Sequence, residues 1–416
     1  MEDKKVMPFE KGLEHGLDFL AEGYKYILNR RISLQSDIFE TRLLGQKAIC
    51  MGGEEAASLF YDTDKFKRDG AMPNRVQQTL VGKGGVQSLD GFEHTQRKQL
   101  FMSLMSKENL ERMDKEIEYQ LEKAVEKWKE QSEIILYDEA KELLVKAACA
   151  WAGVPLQQEE IKRRTEQITS MFESPMAFGP SHWRGRNGRN LAEKWIRDLI
   201  RQVRNSEIQA EEHTALYTFS QHKDAKGEFL PVKVAAVEIL NIIRPISAIS
   251  IYISFIALTL HQYPELKEKI KTRNSQYYQY FVQEVRRFYP FFPIQGAIVK
   301  KDFTWKGYEF KKGTLTILDL YGTNHDPKLW ENPSLFQPER FENWKGSPFS
   351  FIPQGGGDYL SGHRCAGEWI TIRIMKIFLN YFVNELKFEV PPQDFSYRFN
   401  RMPTLPVDGF IMKNIQ

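Results

Sequence analysis

The sequence predicts a mainly α protein with a smaller β-rich part, and three stretches predict it. Residues 106–130, "SKENLERMDKEIEYQLEKAVEKWKE", place apolar residues at helical spacing on a charged background. An apolar helical pattern fills about 232–262, through Ile239, Ile242, Ile243, Ile246, Ile249 and Ile253. The stretch "GAIVKKDFTWKGYEFKKGTLTILDLY" reads as short strands with turns at Lys306-Gly307 and Lys312-Gly313.

The first hundred residues mix short elements. "RLLGQKAICMGG" reads as strand and "GGEEAASLFYDT" as helix. Ser106 is the expected N-cap of the charged helix, because its hydroxyl can accept from a free backbone N–H of the first turn. A second helix covers 137–151 and ends near Gly153-Val154-Pro155. Residues 158–212 form a polar helical region, 276–288 a further helix, 322–365 a loop-rich stretch and about 366–385 the final helix. No repeat and no Pro/Gly/Ser linker divides the chain, so one domain is expected over 1–416.

Bulk properties narrow the function. The 416 residues are 42% apolar and 13% aromatic, enough for a large core, and the net charge is +3 with both signs interspersed. That pattern speaks against a dedicated nucleic-acid binder. "MEDKKVMPFEKGLEHGLDFL" carries no long apolar run, and Ile246–Leu260 is short for a bilayer, so no membrane anchor is expected. Cys50, Cys149 and Cys365 build no disulfide framework, which fits a cytoplasmic protein. Cys50 and Cys149 sit in apolar segments and read as core.

Two local features suggest chemistry. In "EILNIIRPISAISIYISF", Arg244 and Pro245 interrupt the apolar helix. A guanidinium there keeps its proton and needs a partner. Proline removes a backbone donor and kinks the helix. In "PQGGGDYLSGHRCAGEWITIRIMK", a glycine-rich loop delivers Cys365 to a helix start, where a thiolate is favoured. His363 and Arg364 stand beside it. Such a cysteine is a nucleophile, a haem ligand or a buried structural thiol. "EVRR" puts Glu284 and Arg287 at i, i+3, and "FQPERF" adds Arg340.

E-x-x-R, then F-x-P-E-R-F, then a glycine-rich loop with C-x-G resembles the haem-thiolate cytochromes P-450. The resemblance implies that family's fold: a large helical domain with a smaller β-rich region, and haem b buried between the long central helix and the cysteine loop. It implies that Cys365 is the axial ligand of the haem iron, and that Glu284, Arg287 and Arg340 form a structural ion-pair network. The chain departs from the family pattern twice. Asp358 stands where a phenylalanine is usual, seven residues before the cysteine. Arg244-Pro245 replaces the acid–alcohol pair of the central helix.

This combination resembles the fatty-acid peroxygenases, a subgroup of hydrogen-peroxide-using hydroxylases and terminal-olefin-forming decarboxylases. The likeness includes "FYDTDKFKRDG", "LDGFEHTQRKQLFMSLM", "IIRPISAI", "FVQEVRRFYPF" and "DLYGTNHD". It implies that Arg244 binds the carboxylate of a long-chain fatty acid, that the carboxylate moves the peroxide proton, and that no redox partner is obligatory. Pro245 is expected to open room over the iron. Oxidation at the α and β carbons then gives hydroxy acids or a terminal alkene. Without the resemblance, Arg244 is equally a buried arginine paired with an acid or with Asn241.

Gln87, in "GKGGVQSLDG", matches a position near the haem where the subgroup carries glutamine or histidine. Glutamine goes with β-hydroxylation there, histidine with the best-known olefin former. "FMSLM", "GSPF", "GGGDY" and "HRCAGEWIT" resemble the olefin-forming branch, so mixed products are expected. Arg68, His94 and Lys98 match basic positions that hold the haem propionates, with Arg97 a further candidate. Leu80, Val81, Ile249, Phe291, Phe292 and Ile294 are tunnel candidates, with core packing as the alternative. The competing functions are a reductase-dependent monooxygenase, a haem-containing fatty-acid sensor, and a haem-free cysteine enzyme with His363 as base.

Overall fold

The computed structural model describes residues 4–416 except 44, 225 and 274. Helix dominates, as the periodicities predict. The helices used below are α1 (Gly91–Ser103), α2 (Lys107–Lys129), α3 (Leu136–Ala152), α4 (Ile161–Glu173), α5 (Pro180–Arg204), α6 (Val232–Ala248), α7 (Ser250–Gln262), α8 (Ser275–Phe288) and α9 (Glu368–Asn380). Ser106 caps α2: its side chain accepts from Asn109 N–H at 3.2 Å. Gly153 ends α3 at φ 72°, a left-handed conformation that glycine adopts without a Cβ penalty.

The smaller part is a five-stranded sheet. Its strands are β1 (Ile38–Leu43), β2 (Gln46–Met51), β3 (Phe66–Lys67), β4 (Ile294–Val299) and β5 (Leu315–Asp319), in the order β1-β2-β5-β4-β3. β2 and β5 run parallel with Ala48 opposite Leu315, and the other pairs are antiparallel. "RLLGQKAICMGG" is therefore the end of β1, a turn and β2. Its Leu44 lies outside the described residues. Alternation splits β2 between two clusters: Ile49 and Met51 pack with Phe60, Phe66 and Leu318, whereas Ala48 and Cys50 pack with Tyr26, Phe39 and Ile317. Cys50 is fully buried in the second of these clusters, and Cys149 in the helical core.

The long apolar segment runs through the helical core, where α6 packs on α3, α4 and α5. Over Val232–Gln262 it is long and apolar enough to cross a membrane, yet 94% of its most apolar window is buried inside the protein. It is also two helices rather than one. Helical geometry continues through Pro245 and breaks at Ile249, whose N–H turns to Ile246 O at 3.1 Å. Proline removes the bond to the Asn241 carbonyl, and the interruption appears one turn later than the sequence predicts. The final helix starts at Glu368 and finishes in a wider turn over Tyr381–Glu385.

Candidate active site

α6 supplies the first part of the site. Glu238, Asn241 and Arg244 recur at three-residue steps and share one face. The turn Val86–Ser88 lies against this face. Asn241 Nδ2 donates to Gln87 Oε1 at 3.2 Å and to Glu238 Oε2 at 3.1 Å. Val86 N–H and Arg97 Nη1 donate to Glu238 Oε1 at 2.9 and 2.7 Å. Gly85 permits this approach, because a Cβ there would stand 2.8 Å from Asn241 Nδ2. Arg97 is thus committed to Glu238.

Arg244 has no such partner. It is buried, makes no side-chain hydrogen bond or ion pair among the described residues, and its Nε is orphaned. Neither an acid nor Asn241 holds it, unlike the paired arginine that the helix alone allows. Burial lowers its pKa to about 9; Arg189 lowers it further, while Cys365 acts to raise it. The guanidinium and the sulfur therefore share one interior, and both lack an electrostatic complement. A buried arginine without an anion is expensive, so the site is built to receive one.

The cysteine loop supplies the second part. Cys365 N–H donates to Gln354 O at 3.1 Å. Arg286 Nη2 donates to Gln354 Oε1 at 2.9 Å, which turns Gln354 Nε2 to Thr371 Oγ1 at 3.1 Å and to Cys365 Sγ at 3.8 Å. Glu368 joins Arg286 and Arg364, each at 2.6 Å. Arg364 is therefore neutralised locally. Asp358 takes no part: it accepts from Ser361 N–H at 2.6 Å on the surface. The sulfur itself is not poised as a free nucleophile. Burial raises the Cys365 pKa, outweighing Gly367 N–H and Lys98. Its stable form in this setting is a thiol, or a thiolate bound to a cation.

A third group is basic, two cations beside two imidazoles whose protonation burial disfavours. Arg68, His94, Lys98 and His363 are brought together, and none forms an ion pair with a carboxylate among the described residues. The His94 and His363 rings lie 3.9 Å apart. Arg68 Nη2 donates only to Phe60 O, at 3.2 Å. Asp90 accepts from the backbone N–H of Arg68 and Asp69, at 2.8 and 2.9 Å. Lys98 Nζ donates to Arg364 O. Burial lowers the Arg68 pKa to about 10. It lowers His94 to about 4, with Lys98 adding to the shift, and His363 to about 2, with Arg68, His94 and Lys98 adding. His363 belongs to this cluster and makes no hydrogen bond to Cys365. The pairing needed by a cysteine–histidine enzyme is absent among the described residues.

The E-x-x-R residues assemble behind the loop. Arg287 Nε and Nη2 donate to the two Glu284 oxygens, both at 2.7 Å, and both side chains are fully buried. Arg340 Nε adds a bond to Glu284 Oε1 at 3.1 Å. The tunnel candidates separate. Leu80, Val81 and Ile249 are buried in the helical core, with Phe291 packed beside them and stacked on Tyr252 at 4.3 Å. Phe292 is 38% exposed. Ile294 opens β4 and packs with Tyr26 and Phe39 in the sheet's own cluster. A surface groove of about 720 Å³ lies apart, lined by Tyr137, Met176 and Met402 among others.

Sequence reasoning missed Arg286, Gln354, Glu368, Arg189 and Glu238. For Glu238 there is a signal: an acid within an otherwise apolar helix. Arg189 is fully buried on α5 and donates to the Leu80 and Val81 carbonyls, both at 3.2 Å.

Comparison with known proteins identifies the family. Residues 250–413 match the family Cytochrome P-450. The chain is similar to the solved structure of cytochrome P450EX alpha (CYP152N1) with myristic acid: 52% identity, 99% of each chain covered, TM-score 0.96. It is similar to a variant of the P-450 OleT in complex with arachidonic acid: 36% identity, 99% of each chain, TM-score 0.95. Among curated proteins it resembles protopanaxadiol 6-hydroxylase of Panax ginseng, 22% identical over 90% of this chain and 84% of that protein. The haem of the family fits these residues. Cys365 would hold its iron, and Arg68 and Lys98, with the two imidazoles beside them, would face its propionates. The chain is a haem-thiolate oxidoreductase that belongs to the cytochrome P-450 family, within the fatty-acid peroxygenase subgroup its motifs resemble.

Proposed function

We propose that this single-domain protein is a cytoplasmic, hydrogen-peroxide-dependent fatty-acid peroxygenase that works without a redox partner or nucleic acid. One observation carries the proposal: Arg244 is a buried guanidinium without an anion, on the central helix, in the same interior as Cys365. The similar structures hold myristic acid and arachidonic acid, which supports a long-chain fatty acid as the missing anion.

Cys365 would hold haem b, with Arg68, His94, Lys98 and His363 on its propionates. When bound, the haem supplies the redox centre at which peroxide is cleaved. Arg244 binds the substrate carboxylate in a charge-assisted, two-point pair, strengthened because the site is buried. Pro245 spaces the helix behind it. The anchored carboxylate carries the peroxide proton, the task for which this helix has no acid–alcohol pair. Gln87, on the turn Val86–Ser88, meets this helix face at Asn241, one turn before Arg244, and tunes the outcome. Leu80, Val81, Ile249 and Phe291 line the acyl chain's path, with Phe292 at its exposed end. Glu284, Arg287 and Arg340 hold the helix behind the cysteine loop.

Anchoring the head group presents the α and β carbons to the oxidant. A fatty acid and one peroxide give a hydroxy acid and one water. Alternatively they give a terminal alkene one carbon shorter, carbon dioxide and two waters. The test is turnover of a long-chain saturated acid by the haem-loaded protein with peroxide and no reductase. Hydroxy acid or alkene is the expected product. Turnover only with a reductase system would overturn the proposal.

A further inference from the structure

Glu238 is an acid with no exposed surface in the apolar part of α6. The structure uses all of it. Oε1 takes the Val86 N–H and the Arg97 guanidinium, and Oε2 takes Asn241 Nδ2. The same Nδ2 reaches Gln87 Oε1 at 3.2 Å. Val86 and Gln87 are neighbours in one tight turn, so Glu238 holds that turn by its backbone and, through Asn241, by its side chain.

Donor and acceptor chemistry gives this chain of contacts a direction. A carboxylate paired with a guanidinium only accepts. It therefore turns the nitrogen of Asn241 toward itself. Reversed, Asn241 would set its oxygen against Glu238 Oε2, two acceptors in contact. The Asn241 nitrogen has two hydrogens, one for Glu238 and one for Gln87. Gln87 must then offer its oxygen to the helix. Its own amide nitrogen is left with no protein partner among the described residues. Asn241 is also the i, i+3 neighbour of Arg244, so the turn that carries this free donor meets the helix one turn from the carboxylate anchor. A glutamine released from these contacts would sample several rotamers and present either end.

We infer that Glu238 is a positioning residue for the reaction: acting through Asn241, it holds Gln87, one helical turn from Arg244, with its amide nitrogen free to donate. The inference rests on the proposed function for the identity of the substrate. Glu238 thereby sets how the fatty-acid head group and peroxide are held, and with them the ratio of hydroxylation to decarboxylation. Arg97, which the sequence offers as a propionate ligand, serves instead as the guanidinium partner of Glu238, working against the burial that raises its pKa.

The experiment is a double-mutant cycle on the haem-loaded protein with Glu238→Gln, Gln87→Ala and the pair. Two quantities are read: fatty-acid affinity from the absorbance change on titration, and product ratio under peroxide. Glu238→Gln alone is expected to move the product ratio about fivefold, and to move it less than about twofold when Gln87 is already alanine. Affinity should show the same dependence on Gln87. An equal effect of Glu238→Gln in both backgrounds, or no effect in either, overturns the inference and leaves Glu238 a structural partner of Arg97. Asn241→Leu keeps the Arg97–Glu238 pair and removes only the relay. It must reproduce the Glu238→Gln effect, and it replaces that variant if Glu238→Gln does not fold. Absence of peroxide turnover in the unaltered protein would defeat the proposed function, while the affinity cycle would still decide the role of Glu238.

Discussion

The rings of His94 and His363 lie 3.9 Å apart, with Arg68 and Lys98 acting on both and, among the described residues, no carboxylate in an ion pair with either. Asp90 acts on Arg68 and His94 from a distance but is bound to backbone N–H groups, so the four basic groups remain short of anions unless another joins them. The haem propionates are that anion in the proposed holoenzyme. A pH signature follows for the haem-free protein. The folded pKa of His94, about 4, lies below its ordinary 6.5, so the unfolded chain takes the proton first. The stability that His94 contributes is fully present above about pH 6.5 and is lost as pH falls toward 4. Urea unfolding across that window should show stability falling with pH, His363 at about 2 and His325 at about 3 adding to the His94 contribution. His94→Gln should lower the slope by up to about one proton rather than abolish it, and haem should reduce it. An unchanged slope in the variant would contradict the cluster's unpaired character.

Glu284 and Arg287 predict unequal costs. Arg287→Ala strands a buried carboxylate, and should lower stability by about 3–5 kcal/mol or prevent folding. Arg340→Ala leaves Glu284 its two bonds to Arg287 and the Gln337 N–H, and should cost about 1.5–3 kcal/mol. Denaturant midpoints check the order. Equal losses would mean that Arg340 carries as much of the network as Arg287.

Gln354 bears on the sulfur. Arg286 can only donate, so it holds the Gln354 oxygen and turns the nitrogen to Cys365. A hydrogen bond to a thiolate withdraws electron density from it and raises the potential of the bound iron. Gln354→Leu should therefore lower the haem reduction potential in a spectroelectrochemical titration, with the Soret band retained. A potential that stays or rises would remove Gln354 from the ligand's surroundings.

The sequence made some of this legible and hid the rest for physical reasons. Periodicity marked α2, α3 and α8 to within a residue or so, because each is long and carries apolar residues at helical spacing and, for α2 and α3, a cap residue stands in place. Glu284 and Arg287 were legible as an i, i+3 pair. Arg244 was legible because a guanidinium in an apolar helix is conspicuous. The break at Ile249 was not, since the effect of a proline depends on which carbonyl finds a new partner. Gln354 and Glu238 were hidden because their partners are distant in sequence. Ile294 reads as apolar in either environment, and only the register of β4 against Asp319 in β5 assigns it to the sheet.

Arg244 carries the central claim, and turnover of a fatty acid beside its methyl ester tests it most directly. The ester keeps the chain and loses the carboxylate. With peroxide and no reductase, the acid should turn over and the ester should not. Arg244→Ala should lower kcat/KM for the acid by about 10²–10⁴-fold, because anchor and proton carrier are lost together. The Soret band should remain, since Arg244 does not hold the haem. Equal turnover of acid and ester, or an Arg244→Ala enzyme as active as the original, would contradict the account.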